Sequence, residues 1–71
     1  MNEYTIVIED AGSNFAAYVL DFDGCISTGA TIEEVTANMR EAIAAHIEVM
    51  IEHGEDVPEP MPFVMTKKIA V

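Results

Sequence analysis

The stretch from Thr31 to Gly54 constrains this chain more than any other, because it carries both a start and a stop signal for one long helix. Thr31 precedes the apolar periodicity and Glu34 follows three residues later. This is the spacing of a capping box, in which hydroxyl and carboxylate each satisfy an orphan amide of the first turn. Glu33 and Glu34 favour the positive end of the helix dipole, while His53 offers a last-turn donor and Gly54 can take the left-handed conformation that closes a helix. Between them Ile32, Val35, Met39, Ala42, Ile43, His46, Met50 and His53 recur at spacings of three and four. Glu34, Glu41, Glu48 and Glu52 fall mostly on the other side. One stripe is expected inward and the acidic one in water.

The residues before the helix read as strands. Tyr4 to Glu9 is rich in β-branched and aromatic residues, Asp10 to Asn14 is a turn by composition, and Phe15 to Leu20 is a second apolar run. Asp21-Phe22-Asp23-Gly24 breaks that run, and Cys25 to Thr28 resumes an extended pattern before Gly29-Ala30 leads into the helix. After Gly54, Pro58, Pro60 and Pro62 make an extended connector. Phe63 to Thr66 and Ile69 to Val71 are candidates for a fourth strand, with Lys67 and Lys68 as edge charges. The expected class is α+β: a three-stranded antiparallel meander, one long helix and a C-terminal strand, in a single domain over residues 1–71. Along the first two strands Tyr4, Ile6 and Ile8 alternate with Thr5, Val7 and Glu9. Phe15, Ala17 and Val19 likewise alternate with Ala16, Tyr18 and Leu20, so both faces of the sheet are largely apolar. One helix covers one face, and the other is expected to be a contact surface.

Size and charge narrow the partners. A chain of 71 residues buries only about 60% of its unfolded surface, so its core is marginal and a homo-oligomer is expected. No apolar run reaches the roughly 18 residues of a membrane span, and the N-terminus lacks the basic region of a signal peptide, so a cytoplasmic location is expected. The single cysteine, Cys25, fits a reducing compartment. Thirteen acidic residues against three basic ones, Arg40, Lys67 and Lys68, give a net charge of -10. That balance repels phosphate backbones and suits a basic protein partner.

Few residues suggest chemistry. Asp21-Phe22-Asp23-Gly24 after an apolar run resembles the first motif of haloacid-dehalogenase-type phosphatases, in which Asp21 would attack phosphorus and Asp23 act as acid and base beside Mg²⁺. That family needs a doubly wound sheet, a later lysine and a further acidic pair. It also usually has Thr where this chain has Cys25. An Asp- and Gly-rich turn needs no catalytic explanation. Cys25 with His46 or His53 as base, or the two histidines with a carboxylate around a metal, lack supporting spacing. Cys25 is expected as a small buried hydrophobe, and His46 and His53 as partly buried helical histidines. Met1, Met39, Met50, Met61 and Met65 read as core or interface filler. No cofactor is expected.

The order strand, strand, Asp21-Phe22-x-Gly24-Cys25, strand, Gly29-x-Thr31-x-Glu33-Glu34, helix, Gly54, Pro58-x-Pro60 resembles the HicB family of antitoxins across about the first 60 residues. The family usually has Pro where this chain has Asp23, and that substitution creates the phosphatase-like string. The resemblance implies a β-β-β-α-β fold similar to a trimmed ribonuclease H core without its catalytic carboxylates. It also implies a partner: a HicA toxin, a small basic ribonuclease that cleaves mRNA. Many members carry a C-terminal DNA-binding domain that represses their own operon, and Met61 to Val71 leaves no room for one, so operator binding is not expected of this chain. A solitary oligomeric domain with another ligand is the alternative, and a metal-dependent phosphohydrolase using Asp21 and Asp23 the remaining one.

Overall fold

A computed structural model describes residues 3–61 and 67–70. Its element order is β1 (Ile6–Asp10), β2 (Phe15–Val19), β3 (Ile26–Gly29) and α1 (Ile32–Glu52), with the strands in a sheet of order β1-β2-β3. Both pairings are antiparallel. The expected meander followed by a helix is therefore the architecture. The strand limits shift slightly: β1 starts at Ile6 rather than Tyr4, β2 stops at Val19, and β3 starts after Cys25. Of the expected fourth strand, Phe63 to Thr66 and Val71 lie outside the described residues, and Lys67 to Ala70 have no strand conformation.

The β1–β2 turn is held locally. The Gly12 amide donates to Asp10 Oδ1 at 2.9 Å, and the Ala11 amide donates to the Asn14 carbonyl at 2.8 Å. Gly12 itself sits at φ +96, where a side chain would be strained.

The helix begins where the capping residues place it. Thr31 is extended, and its Oγ1 accepts from the Glu34 amide at 3.0 Å. The reciprocal bond differs from the expected box, because Glu34 Oε1 accepts from the Ala30 amide at 3.1 Å rather than from Thr31. At the far end the Glu55 amide donates to the Met50 carbonyl at 2.9 Å and the Gly54 amide to the Ile51 carbonyl at 3.1 Å. With Gly54 at φ +69, these two bonds form a Schellman motif. His53 is the cap residue, and its backbone amide rather than its imidazole makes the closing bonds.

The core is the seam between the helix and one sheet face: Ala17, Val19, Phe22, Cys25, Val35 and Met39, flanked by Ile6, Ile8, Phe15, Ala42, Ile43, Ile47 and Met50. Val35 and Met39 are wholly buried. The inward stripe departs from expectation at three places. Ile32 and His53 are exposed, and Ile47 is half-buried. A helix of 21 residues runs roughly 30 Å while five-residue strands run roughly 17 Å, so the sheet cannot cover the stripe along its whole length. Ile47 instead packs against the buried cluster, as Tyr4 and Val57 do.

Gly29 sets how closely helix and sheet meet. A Cβ there would lie 2.5 Å from the Val35 amide nitrogen and 2.9 Å from its Cα, both backbone atoms that cannot rotate away. Adding a methyl group reduces unfolded-state entropy and stabilises by about 0.4–1 kcal/mol where it fits, but overpacking costs about 1–3 kcal/mol. Gly29→Ala is therefore expected to lower the denaturant midpoint, and an unchanged or raised midpoint contradicts this close approach. Thr31→Ala removes the cap hydroxyl and is expected to cost about 1 kcal/mol in the same measurement.

Candidate binding face

Side-chain alternation gives the sheet a second face that no described element covers. Residues paired across β1, β2 and β3 fall into rows, and the row Val7, Tyr18, Ile26 crosses all three strands. Their neighbours along each strand, Ile6 and Ile8 on β1 and Ala17 and Val19 on β2, point into the core, so this row points away from it. Tyr18 is 38% and Ile26 71% exposed, with Val7 half-buried. A second outward row, Glu9, Ala16, Thr28, adds one carboxylate and small side chains. The apolar row continues beyond Ile26 into a shallow depression of about 290 Å³ toward the helix, lined by Ala45, His46 and Val49.

The edges of the sheet are not equivalent. Asn38, on the helix, donates its side-chain amide to the Thr28 carbonyl at 2.8 Å. That bond occupies an acceptor on the outer edge of β3 and blocks strand addition there. Beside β1 a groove of about 480 Å³ opens between strand and helix, lined by Tyr4, Ile6, Met39 and Ile43, with Glu3, Thr36 and Arg40 also in its wall.

The residues singled out as motifs build scaffold. Phe22 is buried, with its ring centroid 5.0 Å from Tyr4 and 5.1 Å from His46, in tilted stacks that tie the β2–β3 connection to the helix. Gly24 takes φ +73, which a side chain rarely adopts. Pro58 lends its carbonyl to the Tyr4 hydroxyl at 2.8 Å, so the connector returns to the start of the sheet, and Pro60 is half-buried beyond it. Glu33 lies exposed in the first helical turn beside Glu34.

Asp21 and Asp23 follow the end of an antiparallel strand, whereas the phosphatase motif belongs to a doubly wound sheet. Asp23 is exposed, and Asp21 Oδ2 is buried without a hydrogen-bond partner among the described residues. Among those residues no three His, Cys, Asp or Glu side chains gather around a point that could hold a metal. His53 is exposed at the end of the helix, apart from the half-buried His46.

Cys25 is buried, and its burial pushes the thiol above its ordinary value of 9.0. The side chain serves as a small apolar group beneath the helix.

An α+β module results, in which the motif residues hold the helix against one sheet face and no described element covers the other. The sequence matches the family described as "HicB_like antitoxin of bacterial toxin-antitoxin system" over residues 4–69, and the chain belongs to that family. It is 41% identical over 59 residues to an uncharacterised 14.9 kDa protein from the rep-hol intergenic region of Haemophilus phage HP1, an alignment covering 83% of this chain and 44% of the phage protein. The chain thus spans less than half the length of that relative. It is 35% identical over 57 residues to a UPF0150 protein of Thermoplasma acidophilum, covering 79% of this chain and 83% of that one. No solved structure matches.

Motif reading pointed to the scaffold and not to Val7, Tyr18 and Ile26. The signal for those three was the period-2 alternation of apolar residues on both faces.

Cys25 gives a pH expectation. Above the ordinary thiol value the unfolded chain loses the proton before the folded chain does, so the folded state binds more protons there and stability falls as pH rises. Unfolding followed from pH 8 to 10 should show this decline, less steeply in Cys25→Ala; parallel curves for the two chains would contradict the burial of the thiol.

Proposed function

We propose that this chain is an antitoxin module that binds a small, basic, mRNA-cleaving toxin of the HicA type and blocks it by covering its active surface. Family membership over residues 4–69 carries the reading. Charge supports it. A surface with a net charge of -10 attracts a cationic protein and repels RNA, so the chain competes for the toxin without binding the toxin's substrate. The role is stoichiometric binding rather than catalysis. It is exercised in the cytoplasm, where Cys25 remains a thiol. A second reading, a solitary domain that self-associates, is favoured by the open sheet face carrying Tyr18 and Ile26.

Co-expression with a HicA-type toxin from the source genome tests the proposal. The expected outcome is restored growth, together with an association rate that falls steeply as salt shortens the Debye length to about 8 Å at physiological strength. Dissociation should change much less, because apolar contacts set residence time. Growth arrest that persists, or association indifferent to salt, overturns the reading.

A further inference from the structure

We propose that the toxin-type partner seats on the outer face of the sheet, with Tyr18 at the centre of the contact and Val7 and Ile26 on either side. This inference rests on the antitoxin reading and assigns it a surface.

The first support is the row itself. Val7, Tyr18 and Ile26 are in register across three strands, on rigid hydrogen-bonded backbone, and point away from the core. They need no rearrangement to present an apolar strip. A tyrosine in the middle of such a strip supplies large contact area, a hydroxyl for a hydrogen bond and a π face for an arginine or lysine.

Charge decides between a second copy and a basic partner. The first 29 residues, which contain every strand among the described residues, hold Glu3, Glu9, Asp10, Asp21 and Asp23 and no Lys or Arg. Glu9 lies on the outward row beside the apolar strip, so two copies meeting sheet to sheet would bring together two chains of net charge -10, each with Glu9 at the contact and no cation from either sheet between them. A cationic surface would instead meet Glu9 beside the apolar strip and the net negative charge of the whole chain. Like charges juxtaposed across an interface cost several kcal/mol, whereas complementary potentials steer the encounter. The favoured occupant is therefore a small basic protein.

Contact must come face-on at β3. The Thr28 carbonyl on its outer edge already accepts from Asn38, so a partner strand cannot pair there without displacing that bond.

The test compares three chains against a HicA-type toxin from the source genome: wild type, Tyr18→Ala/Ile26→Lys on the outer sheet face, and Glu41→Gln/Glu48→Gln on the exposed face of the helix. Tyr18 and Ile26 both lie on the exposed face, so the double variant should keep the wild-type circular dichroism. Its affinity should fall by at least about 30-fold, mainly through faster dissociation, as expected for loss of a central anchor. The helix variant should associate more slowly at low salt with a nearly unchanged dissociation rate. Methyl signals of Val7 and Ile26 in the wild-type chain should shift on addition of the toxin, which tests the surface without any substitution.

A wild-type chain that binds while the sheet variant binds equally well, with unmoved Val7 and Ile26 signals, overturns the surface and leaves the antitoxin reading standing. A wild-type chain that does not bind, or a source genome with no such toxin, overturns both. Light scattering that shows a wild-type dimer turned into a monomer by Ile26→Lys assigns the face to a second copy and overturns the proposal.

Discussion

Helix and sheet can meet backbone to backbone only because Gly29 has no side chain, and the rest of the packing follows from that contact. With the Val35 amide pressed against the end of β3, Val35 and Met39 drop out of solvent entirely. The helix axis is fixed there by two further bonds, the Thr31 cap and the Asn38 side chain on the Thr28 carbonyl. A helix started in that place and direction lays His46 on Phe22, and Phe22 in turn stacks on Tyr4. The Schellman closure at Gly54 then turns the chain so that Pro58 receives the Tyr4 hydroxyl. One close approach at the start of the helix thus reaches the opposite end of the sheet through successive side-chain contacts.

What was legible in the sequence is what local chemistry decides. The helix limits were readable because Thr31, Glu34 and Gly54 act within a turn of themselves, and the structure places their hydrogen bonds there, apart from the Glu34 carboxylate, which goes to Ala30. What was not legible depends on lengths and on neighbours distant in sequence. Periodicity gives Ile32 and His53 the right angle to be buried but does not know that the helix is nearly twice as long as the strands. Cys25 looked like the first residue of β3 because apolar character continues through it, yet it packs under the helix before pairing with β2 begins. Asp21-Phe22-Asp23-Gly24 shows the same limit in chemical form. As a string it resembles a nucleophile motif, but its meaning depends on the sheet around it, and that sheet is an antiparallel meander.

The candidate face was visible in the alternation of both strands and yet unassigned, because alternation defines two faces without saying which is covered. The covered face is chosen by Gly29, which pairs with Phe15 and therefore lies on the core side of the sheet. Tyr18 and Ile26, one register step away, are left outward by the same choice. The glycine that sheet–helix packing requires and the apolar row on the opposite face are two results of one register.

Under the antitoxin reading, that register also ties binding to folding. A domain of this size buries too little surface for a large stability reserve, and here no element among the described residues covers one side of its sheet. Any partner that seats on the open side and has no affinity for the unfolded chain adds RT ln(1 + [L]/Kd), about 2.7 kcal/mol when free partner is at a hundred times Kd. For a marginal domain that increment is a substantial fraction of the whole. The chain's net negative charge acts differently, since screening weakens it and it works mainly before contact. Charge therefore governs how often the two proteins meet, while the Tyr18 row governs how long they stay together and how far the complex is stabilised against unfolding.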